Sequence, residues 1–121
     1  MSNKNAYGEM TPEKTWSGSL SFRYNSNREV TGALVVIPVS LQNELDLKAG
    51  DRVIVRDHTS VNAANSPQHP VPIHTTLRLI NKSPKALVAP IHLAYMLYFG
   101  TTNEPQITFG LQKEIKREVP L

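Results

Sequence analysis

The side chains of this 121-residue chain that could do chemistry are few and scattered. There is no cysteine, so disulfides, thiolate metal sites and cysteine nucleophiles are excluded. Four histidines, His58, His69, His74 and His92, lack the close pairing that a metal site needs. Three of them fall in or beside one Ser-, Asn- and Pro-rich stretch, where a solvated imidazole is the expectation. Glu44, Asp46, Asp51 and Asp57 cluster in sequence, but helix-end and turn roles account for them. No phosphate-cradling G-x-x-x-x-G-K-[ST] loop, G-x-S-x-G elbow or H-E-x-x-H helix is present. The expectation is a protein that is not an enzyme and that uses no cofactor and no metal.

The elements that must position everything else centre on Val35 to Val55. Val35-Val36-Ile37 is a β-branched run that suits a buried strand. Pro38 ends it and pre-sets φ for a helix start. Leu41 and Leu45, four apart, share one helix face, and Leu47 closes the apolar cluster. Ala49-Gly50-Asp51 is a turn signal, and Arg52 to Arg56 alternates as a second strand. Upstream, Leu20 to Tyr24 alternates as a half-buried strand, and Asn25 to Glu29 is a turn-rich loop. Gly32 marks a bulge or a close backbone approach.

A second stretch repeats this layout. Pro90, Leu93 and Leu97 follow Pro38, Leu41 and Leu45 at a constant offset of 52, and Phe99 falls on Leu47. With a one-residue slip, Asn103-Glu104 falls on Gly50-Asp51, and Ile107-Thr108-Phe109 supplies a closing strand. Each copy follows an alternating strand and a polar turn. The pattern predicts an internal duplication of a strand, turn, strand, short helix, strand unit. Residues 1–17 read as a flexible arm, with Trp16 packing over the core edge. One barrel domain spans 18–110, with unit one at 18–57, a linker at 58–72 and unit two at 73–110. Residues 111–121 read as a tail.

Ile37-Pro38, Leu41, Leu45, Leu47 and Gly50-Asp51-Arg52-Val53 resemble the DNA-binding module of the AbrB, MazE and SpoVT family. The close match covers about a sixth of the chain, and Gly32-Ala33 stands where the family carries Gly-Arg, one residue further from the proline. The resemblance implies a mostly β fold with two short helices. It would be an AbrB-like swapped-hairpin or cradle-loop β-barrel of two pseudo-symmetric ββαβ units. In that family two chains interleave to close one core, and here one chain carries both units. A pseudo-dimeric monomer or a homodimer is expected. The family's DNA contacts lie on the first hairpin, which places Arg23, Asn25, Asn27 and Arg28 there. Arg78, Asn81, Lys82 and Lys85 occupy the equivalent strand and loop of unit two, and Arg52 and Arg56 rank second.

The function implied is a DNA-binding protein, a transcriptional regulator, docking a basic pseudo-dyadic surface on double-stranded DNA without catalysis. The formal charge of +3 agrees with this but does not single it out. The alternative is a cradle-loop or double-psi barrel acting as a protein-binding adaptor, with a groove lined by Tyr95, Tyr98 and Phe99. A small barrel enzyme is a weaker third, for want of a nucleotide-binding glycine loop. No apolar run approaches the length of a membrane span. The start has no secretory pattern, so a cytoplasmic location is expected.

Overall fold

The structure is a computed structural model that describes residues 8–58, 71–80, 85–94 and 107–115. It is mostly β. Eight strands run in the order β1 (Lys14–Gly18), β2 (Leu20–Tyr24), β3 (Val30–Val36), β4 (Arg52–Asp57), β5 (Ile73–Thr76), β6 (Arg78–Ile80), β7 (Ala86–His92) and β8 (Ile107–Lys113). One α-helix, α1 (Val39–Leu45), lies between β3 and β4. The strands form two antiparallel four-stranded sheets, β1-β8-β4-β5 and β2-β3-β7-β6. Among the described residues these sheets are open and do not close into a ring.

The sheets are joined at two corners. β1 runs into β2 through Ser19, and β5 runs into β6 through Leu77. Leu77 is buried there, and Gly50 and Asp51 hold it by backbone hydrogen bonds of 2.8 Å each. Alternation along the strands sends one face of each sheet inward. Ala33, Val35, Val53, Val55, Leu87, Ala89, Ile91, Phe109 and Leu111 meet between the sheets in one buried cluster. Trp16 packs on its margin, its ring 5.3 Å from that of Phe109.

Exchanging β1 with β5, β2 with β6, β3 with β7 and β4 with β8 leaves both strand orders unchanged. This is the topology of a pseudo-twofold axis. The inward residues fix its register: Ala33 and Leu87, Val35 and Ala89, Val53 and Ile107, and Val55 and Phe109 are all 54 apart. The offset is therefore not the 52 that aligns Pro38 with Pro90. Pro38 follows β3 and opens α1 with φ −60°, whereas Pro90 lies inside β7, opposite Leu34. Proline reads as a helix start in sequence, but it also fits a strand wherever its nitrogen needs no partner. Ile91 and His92, expected in a second helix, are strand, and Leu93 and Ala94 form a short 3₁₀ turn. The remainder of that expected helix, and the groove of Tyr95, Tyr98 and Phe99, lie outside the described residues.

Two further expectations are corrected. The arm read at 1–17 carries an isolated bridge at Met10 and most of β1 from Lys14, because β8 would otherwise present an open edge. β1 pairs with β8 from Lys14↔Leu111 to Gly18↔Ile107, and Met10 bridges Glu114. The tail read from 111 begins inside β8, where Leu111 is fully buried.

Local chemistry accounts for α1. Leu41 is its buried residue and Leu45 is half-buried, on the face that meets the core. Gln42 reaches back with Nε2 to the Ile37 carbonyl at 2.9 Å. Asp46 ends the helix in the left-handed region at φ 51°. From β8, Lys113 Nζ donates to the carbonyls of Leu45 (3.2 Å) and Asp46 (2.8 Å) and pairs with Asp51 at 3.7 Å. A cation on the orphan carbonyls of a helix end complements its dipole.

Candidate nucleic-acid interface

The first hairpin is folded by its own side chains. Asn25 Oδ1 accepts from the backbone N–H of Asn27 (2.8 Å) and of Glu29 (3.0 Å). Asn25 Nδ2 donates to Glu29 Oε1 at 3.3 Å. Asn25 thus shapes the loop, which leaves Arg28 exposed with φ 63°. Asn27 is exposed in the same turn. Arg23 follows the alternation of β2 onto the outer face, in a row with Gly32 of β3 and His92 of β7. Arg78 is exposed on β6, at the opposite edge of the same outer face, in a row with Val36 and Val88. Four residues along and three strands across place it roughly 20 Å from Arg23. Lys85 is exposed just before β7, at the far end of that sheet. Lys82 and Asn81 lie outside the described residues.

Arg52 and Arg56 belong to the other sheet, and both are engaged. Arg52 pairs with Glu114 at 3.5 Å. Arg56 pairs with Glu13 at 3.5 Å and donates to Gln112. Glu13 also holds His58 Nε2 at 2.9 Å. The cations therefore segregate by sheet. Lys14, Lys48, Arg52, Arg56 and Lys113 all face a carboxylate. Arg23, Arg28, Arg78 and Lys85 make no ion pair among the described residues, and Glu29 is the lone carboxylate on their sheet and first hairpin. The second-rank candidates are thus part of the scaffold. The others spread over one face and its two ends.

A cleft of about 340 Å³ opens at the end of this sheet, lined by Arg23, Gly32, His74, Thr75, Pro90 and His92 among others. Pro90 stands on its margin. The β6–β7 ladder pairs Arg78 with Val88, so Pro90 would be the next residue to offer an edge N–H. It has none. β5 leaves β7 there and joins β4 instead. Thr75 Oγ1 spans the gap and donates to the Pro90 carbonyl at 2.7 Å. Gly32 forms the floor: a Cβ at that position would meet the Ile91 carbonyl oxygen at 2.7 Å. Sequence reasoning flagged Gly32 but passed over His74 and His92, since they meet only where β5 and β7 diverge in three dimensions.

Burial first, and then the Arg56 and Arg52 guanidiniums, lower the His74 imidazole below its ordinary value of 6.5. Among the described residues, no group of three or more His, Asp or Glu is placed to hold a metal, and no helix is long and apolar enough to cross a membrane. No protein-family model matches the chain, and neither a curated protein nor a solved structure does.

Proposed function

We propose that this chain is a DNA-binding protein of the AbrB-like, swapped-hairpin kind, a transcriptional regulator that docks a rigid basic face on double-stranded DNA and catalyses nothing. The observation that carries the proposal is the charge segregation. Arg23, Arg28, Arg78 and Lys85 stand without ion pairs among the described residues on one sheet and its hairpins, while the cations of the other sheet are neutralised. Unpaired arginines suit bidentate phosphate or base contacts, and lysine suits phosphate as a point charge. Their spread of about 20 Å spans roughly six base pairs at 3.4 Å each. The likeness of Ile37 to Val53 to the family's strand, helix and turn supports the same reading. The cradle-loop form of the barrel, the cytoplasmic location and a pseudo-dimeric monomer or homodimer belong to this proposal too.

The test is binding of a random-sequence duplex by fluorescence anisotropy at two salt concentrations, beside Arg23→Ala/Arg28→Ala. Neutralising about four phosphates gives a slope near −4 of log affinity against log salt, and the variant flattens it by about two. A slope near zero would remove the DNA reading. The second reading, a protein-binding adaptor, is favoured by exposed Val36 and Val39 around Pro38. It becomes the first choice if the duplex does not bind at low salt.

A further inference from the structure

The cleft between β5 and β7 has a chemistry of its own. Among its lining residues are one guanidinium, two imidazoles and no carboxylate. Ala94 N–H donates to His92 Nδ1 at 3.0 Å. Nδ1 is therefore the acceptor, and the neutral ring carries its proton on Nε2 as a donor. Arg23 lies in the same cross-strand row, on the other side of Gly32. Gly32 keeps the floor bare backbone, since a Cβ there would meet the Ile91 carbonyl oxygen at 2.7 Å. Pro90, half-buried beside these groups, adds apolar surface that a bare anion does not need.

The pseudo-twofold axis offers an internal comparison. Across that axis Gly32 and His92 map onto Ala86 and Pro38 at an offset of 54, and Arg23, the partner of Gly32, maps onto Ile80, the partner of Ala86. Ile80, Ala86 and Pro38 carry none of these polar groups, and Pro38 opens α1 where His92 ends β7. The polar row is confined to one half.

We propose that this cleft seats a phosphoryl group carried on a small organic residue, with the Arg23 guanidinium and His92 Nε2–H as donors, Gly32 as floor and Pro90 against the organic part. A phosphate group matches a guanidinium fork and a neutral N–H donor. Its volume is at the small end for ligand sites. The site stands without the duplex-docking proposal, since a free phosphomonoester and a nucleic-acid strand present the same group.

The probe is phenyl phosphate, followed by the ring resonances of His74 and His92 in NMR, with inorganic phosphate in parallel. Saturable shifts are expected, with phenyl phosphate the tighter of the two. Arg23→Gln and His92→Gln each weaken binding about tenfold or more, the loss of one charge-assisted hydrogen bond. Lys48→Gln, which removes equal charge from a distant turn, leaves it unchanged. No saturable shift at millimolar concentration overturns the site, as does equal weakening by Lys48→Gln. Equal affinity for the two probes overturns the role of Pro90. Competition then separates the sources. Displacement of bound duplex by phenyl phosphate assigns the cleft to strand phosphates. Phenyl phosphate binding without duplex binding assigns it to a free phosphomonoester, and only the duplex proposal falls.

Discussion

Arg28 holds a left-handed backbone at φ 63°, a region that costs a non-glycine residue about 1 kcal/mol or more. The turn would suit glycine better, and the arginine makes no ion pair among the described residues. Such strain is worth a functional hypothesis, and here the duplex proposal supplies one. Arg28→Gly is expected to raise stability by up to about 1 kcal/mol, read as a higher denaturant midpoint at constant m, and to weaken duplex binding at the same time. A variant that binds duplex unchanged would take Arg28 out of the interface. Asn25 belongs to a different class of residue. The sequence places it among the binding residues, but its oxygen is committed to the N–H groups of Asn27 and Glu29.

At the scale of elements, α1 depends on a residue 67 positions away. Seven residues are too few for a helix to persist alone, and no side chain caps its start. Lys113 satisfies its last carbonyls and ties it to β8. Lys113→Met keeps the aliphatic stem, removes the cap and leaves Asp51 without that partner. It is expected to cost about 1–2 kcal/mol in chemical denaturation, with faster amide exchange confined to α1 and the following turn. Uniform loss of protection over the whole sheet would show instead that the lysine acts through packing. β1 makes the complementary point. Lys14-Thr15-Trp16-Ser17-Gly18 alternates, yet the acids and turn residues around it read as a tail. What recruits it is the open edge of β8, which no local pattern reveals.

At the scale of the molecule, the two halves interleave. In the first sheet the order β1-β8-β4-β5 alternates strands of unit one and unit two, and in the second β3 pairs with β7 across the units. Neither half has a core of its own. Fragments 1–58 and 71–121 are each expected to be unfolded alone by circular dichroism and to regain β structure when mixed. A folded single fragment would mean that a half closes on itself and that the interleaved order is not required. The described edge strands are three to five residues long, which limits what an unpaired edge can recruit.

The mostly β class and the strand–helix–turn–strand centre around Pro38 were legible in the sequence, because each rests on local periodicity and punctuation. The same local signals placed Arg23 and Arg78 outward on their strands. They misplaced Pro90, because a fixed φ and a missing donor suit a helix start and a strand position alike, and only the neighbouring strands decide between them. In β7 it lies within the strand, opposite Leu34, and the repeat is 54 and not 52. Arg23, Gly32, His74 and His92 come from four strands, and no spacing along the chain relates them. Which cations stay unpaired was likewise settled in three dimensions, since Glu13 and Glu114 reach Arg56 and Arg52 only after β1 and β8 have closed on β4.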